Sequence, residues 1–330
     1  MITALLPAIR SKQHSPLPNT VLAFLKRKLH ERYWSQRSLT RKTLREGGIL
    51  IYHDVSEPQD IWHNPDGYTT QTDNFFHQIA EFSSYCTWMS LDDLVKQPPG
   101  LASRPQVALT FDDGFQSLYD HVGPRLIEQG IPFTIFVNGL AARDNYLPVT
   151  TDLLLKRTQE AQPNGESNLP LSSAGVLEAA FHDHYLRHQA VLTPHLPELK
   201  LYMNTQELAE LASNPLVTLA NHTFSHPNIS ALSPEALIEQ LESNQNYFQN
   251  LPNYLPDHFA IPFGKYNMFT EENLAVLADF GFRYVYTSEN KTLKYTERKH
   301  NLDLVHRFSI RNYHPKYVEY MINRSHLPQG

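Results

Sequence analysis

Val107-Ala108-Leu109-Thr110-Phe111 runs straight into Asp112-Asp113-Gly114, and this stretch decides the fold. Five uncharged residues read as a buried strand, and the glycine lets the chain turn sharply behind two carboxylates. The same pattern recurs outward on both sides. Upstream, residues 49–52 read as a buried strand delivering His53 and Asp54 at its end, and residues 72–85 as a helix with Phe75, Phe76, Ile79 and Phe82 on one side. Downstream, a helix over 122–129 closes at Gly130, and the next strand covers 133–137. A helix over 205–212 precedes a strand over 216–220 that ends at Asn221-His222. A helix over 234–248 leads to a short strand over 259–261, ending at Pro262-Phe263-Gly264. A helix over 271–280 stops at Gly281, and strands over 284–287 and 302–310 complete the series. Strands alternating with helices imply a parallel sheet. Polar residues repeatedly follow strand C-termini, the arrangement of an α/β barrel whose active site lies at that face. Between about 141 and 202 the pattern weakens, and Pro148, Pro163, Pro170, Pro194 and Pro197 interrupt short helical pieces. That stretch reads as a mostly helical or irregular insertion on one face.

Asp112 and Asp113 repel each other, so a buried pair requires a cation or a shared proton. Adjacent residues leave a strand end in different directions, so one carboxylate can hold a metal while its neighbour faces a substrate. Asp-Asp-Gly alone is equally the mark of a solvated loop whose carboxylates cap a helix. His222-Thr223-Phe224-Ser225-His226-Pro227 supplies what that alternative lacks. Histidines at i and i+4 fall on one side of a helical turn, where both imidazoles reach one ion. Two imidazole nitrogens and a carboxylate oxygen suit one divalent ion, Zn²⁺ first, with Ni²⁺, Co²⁺ or Fe²⁺ as alternatives.

Thr110-Phe111-Asp112-Asp113-Gly114 followed by His222-Thr223-Phe224-Ser225-His226-Pro227 closely resembles the first two motifs of the NodB-like polysaccharide deacetylases, carbohydrate esterase family four. The resemblance runs from about residue 49 to 310. It implies a distorted (β/α)₇ barrel, metal ligands at Asp113, His222 and His226, and a general base at Asp112. It also implies hydrolysis of an acetyl group from a polysaccharide or lipid-linked glycan, foremost N-deacetylation of an N-acetylhexosamine. A deacylase of a small amide or formyl-sugar and a non-catalytic carbohydrate-binding relative are the alternatives. The domain division is then a basic segment over 1–46 and a deacetylase domain over 47–330.

Two departures from the family pattern matter. The third motif usually carries an Arg that holds the base carboxylate, and here Ala260-Ile261-Pro262-Phe263-Gly264 has Ala260 in its place. Phe263 still offers a backbone N–H to an oxyanion, and Arg307 on the last strand is the candidate to orient Asp112. The usual fifth motif, an aliphatic strand ending in Leu-x-His, sits near the C-terminus. Leu50-Ile51-Tyr52-His53-Asp54 has that character ahead of the first motif, which is similar to the order in poly-N-acetylglucosamine deacetylases, where Tyr-His supplies the acid. A closed barrel permits the exchange because its first and last strands are neighbours. His306 also fits Leu-x-His, but alternation gives only one of His306 and Arg307 the inward face. His53 is therefore preferred as general acid. Tyr52, Trp62, Tyr68 and Phe115 are candidates to line a sugar cleft, Tyr52 foremost.

The remaining composition sets bounds. A chain of 330 residues with 41% hydrophobic and 19% charged residues has an ordinary globular balance. A formal charge of -6 gives no support to nucleic-acid binding. Cys86 is the single cysteine, so no intrachain disulfide or thiolate cluster forms. His182, His184 and His188 have no carboxylate motif beside them and read as surface histidines. The first residues lack a cationic n-region and no window is apolar enough to span a membrane, so a cytoplasmic protein is expected. Residues 21–46 are basic, with Leu22, Leu25, Leu29 and Trp34 near helical spacing. This segment suits a helix packed on the domain or a peripheral contact with anionic lipid.

Overall fold

The computed structural model describes residues 48–57, 68–97, 103–145, 147 and 200–324. The basic segment over 1–46, Trp62, the three histidines from 182 to 188 and most of the insertion lie outside the described residues.

The strands, in chain order, are β1 (Gly48–Tyr52), β2 (Val55–Ser56), β3 (Thr70–Gln71), β4 (Thr87–Trp88), β5 (Gln106–Asp112), β6 (Phe133–Val137), β7 (Val217–Asn221), β8 (Tyr254–Ala260), β9 (Tyr284–Thr287), β10 (Glu297–Lys299), β11 (Leu302–His306) and β12 (Phe308–Ser309). Parallel pairing runs β1–β5–β6–β7–β8–β9–β11, and β12 pairs parallel to β1. Strands β11 and β12 are one stretch of chain interrupted at Arg307. Its first half lies on β9, with His306 opposite Thr287. Its second half lies on β1, with Leu50 opposite Phe308. The change of partner at Arg307 therefore closes the sheet into a barrel of seven staves, β11 and β12 together forming the seventh. The expected strand over 302–310 is present, and its break does structural work. In addition, β4 pairs parallel to the start of β5 and β10 pairs antiparallel to β11.

Period-two alternation sorts the strand residues into two cores. Leu50, Tyr52, Leu109, Phe111, Ile135, Val137 and Leu219 face outward onto helices, packing with Phe75, Ile79 and Phe82 of the helix Thr72–Tyr85. Ile49, Ala108, Phe136, Ala220, Ala260, Tyr286 and Val305 fill the interior. Small Ala residues opposite large aromatics fit the narrow bore. Leu91 and Leu94 of the helix Leu91–Lys96, which follows β4, join that interior cluster and close its amino-terminal end. The helices at 205–212, 234–248 and 271–280 begin at Asn204, Ser233 and Thr270, each of which accepts a backbone N–H in the first turn.

The insertion has anchored roots. The helix Gly139–Asp144 occupies its start, and Leu140, Ala141, Leu147, Leu201 and Tyr202 pack as one cluster against Phe115. The weak sequence pattern from 141 thus conceals one more buried turn of helix.

Candidate active site

Asp112 ends β5 and Asp113 leaves it with φ 72°, followed by Gly114 at φ 71°. These two left-handed residues break strand alternation, so neighbouring carboxylates enter the same cavity. Asp tolerates that conformation better than most side chains, and the N–H of Asp113 donates to the Phe136 carbonyl at 3.0 Å. Asp112 is gripped by a two-pronged pair. Arg307 Nη1 donates to Oδ1 at 2.8 Å and Nη2 to Oδ2 at 2.9 Å, and both residues are buried. The guanidinium lies over the Phe136 ring at 4.8 Å and donates to Thr110 Oγ1 at 3.2 Å. Burial would raise the Asp112 carboxyl, but Arg307 and then His222 outweigh it and hold it at about 2.

His222 and His226 do not lie on a helical turn, contrary to the expectation from their spacing. They flank an irregular loop in which Thr223 has φ 65° and His226 φ 58°. Positive φ at a β-branched residue is costly and persists only when the surroundings impose it. Here buried amides impose it. Asn138 Nδ2 donates to the carbonyls of His222 and Thr223 at 2.6 and 2.9 Å. Asn221 Oδ1 accepts the Thr223 N–H at 2.9 Å, and Gln240 Oε1 accepts the Ser225 N–H at 2.9 Å. Asn244 donates to Asn221 Oδ1 at 2.9 Å and accepts the Gly139 N–H at 2.7 Å. Gly139 is needed for space, since a Cβ there would meet the Phe224 ring at 2.4 Å. These braces predict that Asn138→Ala lowers divalent-metal affinity by about 10–100-fold, the usual cost of losing groups that orient ligands. Competition with a chelator measures it; unchanged affinity would show that the loop holds its shape without Asn138.

The braced loop aims both imidazoles at Asp113. His222 Nε2 lies 3.7 Å and His226 Nε2 3.6 Å from Asp113 Oδ1, and one donor atom from each residue falls within 4.8 Å of the others. Zinc-type bonds of roughly 2.0–2.2 Å place neighbouring donors about 3.4 Å apart across a tetrahedral edge. His222 Nδ1 donates to the Ala260 carbonyl at 2.8 Å, leaving its Nε2 lone pair for an ion. Asp113 Oδ1 is buried without a hydrogen-bond partner. Burial, then the neighbouring Asp112 charge, push the Asp113 carboxyl well above its usual range. A buried acceptor pressed toward protonation by a second carboxylate is a place for a cation. Burial lowers both histidines, so each imidazole is in the neutral, ligating form. The triad thus fits one divalent ion.

The cavity above the triad has a volume of about 530 Å³, and its lining includes His53, Tyr68, Asp112, Asp113, Phe263 and Arg311. The His53 ring lies tilted against Tyr68, with centroids 4.7 Å apart. Burial holds its imidazole at about 4 despite the opposing pull of Asp112. Phe263 has φ 62°, and its ring meets His226 edge-on at 4.8 Å. Phe115 also lines the cavity. Tyr52 does not belong to it, correcting the expectation of substrate contact. It faces the outer core, fully buried against Phe75, and its hydroxyl donates to Gln78 at 2.7 Å. His306 is likewise turned away, with Nδ1 2.8 Å from Thr287 Oγ1. Asp54 accepts from Ser56 at 2.6 Å and Ser117 at 2.8 Å. The bracing set of Asn138, Asn221, Gln240 and Asn244 escaped the sequence reading. One signal for it exists, because Leu237, Gln240, Leu241, Asn244 and Phe248 share one helical face.

Residues 100–285 match the sequence profile of the polysaccharide deacetylase family. Among curated proteins, none matches the sequence. Similar solved structures include a Streptococcus pyogenes deacetylase, PplD, in complex with acetate, at 16% identity and a TM-score of 0.56, covering 84% of this chain and 97% of that one. IcaB from Ammonifex degensii is 17% identical with a TM-score of 0.52, covering 84% and 97%. A de-N-acetylase from Aggregatibacter actinomycetemcomitans is 15% identical with a TM-score of 0.52, covering 80% and 95%. At these identities the likeness is one of fold.

Proposed function

The chain belongs to the polysaccharide deacetylase family, and on that premise we propose that it removes N-acetyl groups from N-acetylhexosamine units of a glycan. The observation that carries this reading is the meeting, in one cavity, of the Asp113–His222–His226 triad and an Asp112 carboxylate clamped by Arg307. Asp113, His222 and His226 would hold one divalent ion, which we take to be zinc, and bound there it would supply a Lewis acid that lowers the pKa of water. Asp112 accepts a proton from water as general base, with Arg307 fixing the direction of its carboxylate. The Phe263 N–H is the donor we assign to the developing oxyanion. A departing amine requires a proton, and we assign its delivery to His53. Its imidazole rests neutral, so the proton it delivers is the one Asp112 has taken from water, and the nearby Asp112 favours the charged form of the ring.

The test is acetate release from N-acetylglucosamine oligomers by the metal-loaded protein. Absence of acetate across a panel of acetylated glycans would remove the reading. Within it, His53→Ala is expected to lower kcat by about 10²–10⁴, the usual worth of a general acid, with metal content unchanged. His306→Ala is the comparison: normal turnover in His53→Ala beside an inactive His306→Ala would reassign the acid.

A further inference from the structure

The donor assigned to the oxyanion and the carboxylate assigned as base come from different parts of the barrel, and one short stretch of chain holds both. Successive carbonyls along a strand point to opposite neighbours. At the end of β9 the Tyr286 carbonyl accepts the Ile261 N–H at 3.0 Å, on the side of the Phe263 loop. The next carbonyl, of Thr287, faces the other way and accepts the Arg307 N–H at 3.1 Å and its Nε at 3.4 Å. Beyond the strand the same division continues. Ser288 reaches the Phe263 loop twice: its N–H donates to the Gly264 carbonyl at 2.8 Å, and its hydroxyl donates to the Phe263 carbonyl at 3.0 Å. Asn290 reaches the opposite side, donating its N–H to the Arg307 carbonyl at 3.0 Å and accepting the Ser309 N–H at 2.8 Å.

The Phe263 loop needs this support. Phe263 and Gly264 have φ 62° and 66°, left-handed values that an aromatic residue adopts only under restraint. Pro262 has no N–H, so the Phe263 N–H is the first donor after Ile261, and among the described residues it has no hydrogen-bond acceptor. Its direction is fixed from both sides, by Ile261 on Tyr286 upstream and by the Phe263 and Gly264 carbonyls on Ser288 downstream. The downstream contact is close, since a Cβ on Gly264 would lie 2.7 Å from both the nitrogen and the hydroxyl oxygen of Ser288. A side chain at 288 therefore has to be small and to carry a donor, which is what serine offers. Lys265 closes the arrangement, donating to the Ser288 carbonyl at 2.6 Å.

We propose that Ser288 is a positioning residue, holding the Phe263 N–H in register with an Asp112 carboxylate that Arg307 ties to the same stretch of chain. The proposal rests on the deacetylase reading for what that N–H stabilises. A donor that is displaced rather than removed loses part of its effect, so Ser288→Ala is expected to lower kcat about 10–100-fold, with KM changed less than about twofold. Zinc content should stay native. Calorimetry on the zinc-loaded protein gives a readout that needs no turnover. An N-acetylglucosamine oligomer with one acetamide replaced by methylphosphonamidate, whose tetrahedral anion copies the hydrated acetamide, should bind more weakly by the same factor as the fall in kcat. Ser213→Ala removes a comparable bond, from the Ser213 hydroxyl to the Ala209 carbonyl at 2.8 Å, at the amino-terminal end of the barrel. It should change neither quantity.

Native kcat in Ser288→Ala overturns the proposal. So does a loss of kcat that comes with lost zinc, with a matching rise in KM, or without weaker binding of the phosphonamidate. If the native protein releases no acetate, the deacetylase reading falls, and amide hydrogen exchange over residues 261–266 decides the positioning role by itself. Exchange there is expected to quicken about 3–10-fold in Ser288→Ala, the worth of one hydrogen bond, and unchanged exchange overturns the role.

Discussion

His222→Ala/His226→Ala is expected to hold no stoichiometric divalent ion and to release no acetate. The double substitution removes two of the three donors that converge within 4.8 Å, and a lone carboxylate at Asp113 does not retain a transition metal against water and chelators. Elemental analysis after gel filtration reads the first effect and acetate release the second. A third readout is independent of turnover. An ion that binds only the folded chain stabilises it by about 4 kcal/mol at a thousand times its Kd, so zinc should raise the Tm of the native protein and leave that of the variant unmoved. Full metal content in the double variant would falsify the triad. Zinc-dependent stabilisation surviving in it would place the ion elsewhere.

The triad was legible because its residues are chemically distinctive and each follows a strand. Asp112-Asp113-Gly114 and His222 stand where β5 and β7 deliver them, and strand ends are what hydrophobic patterning marks best. What the i, i+4 spacing could not specify was the backbone between the histidines, since a helical turn and a braced loop both bring two imidazoles together. The loop is set by Asn138, Asn244 and Gln240, which approach from β6 and from the helix Pro234–Phe248. Such long-range amide contacts leave no local signature. Tyr52 is a different kind of miss. It adjoins His53, and alternation along β1 allows only one of the two to face the cavity, so the error was avoidable from the sequence. Arg307 was legible by subtraction, because Ala260 stands where the family usually places an Arg and the last strand carries a buried cation. The switch of strand partner at Arg307, which closes the barrel, is a property of pairing and was not legible.

Arg307→Ala is expected to cost about 3–5 kcal/mol in stability, the scale for removing one partner of a buried ion pair, and to lower turnover through Asp112. Arg307 is 1% exposed and Asp112 5%, so water does not replace the lost guanidinium. Burial, now opposed only by His222 and His53, pushes the carboxyl up, and to the extent that Asp112 is protonated it has no capacity to accept a proton from water. Part of the loss is packing, because the guanidinium also covers Phe136 and reaches Thr110. Charge and packing separate in a double-mutant cycle. Asp112→Asn alone strands the Arg307 charge, whereas Asp112→Asn/Arg307→Ala removes both charges, so the double variant should be more stable than the sum of the single losses requires, by a few kcal/mol. Arg307→Lys keeps a charge but not the two-pronged geometry, and should recover stability better than turnover. Denaturant unfolding of the metal-free proteins gives the cycle without interference from ion binding. Strictly additive losses would mean that the pair seen between Arg307 and Asp112 carries no coupling energy, and the orientation of the base would then rest on the strand end alone.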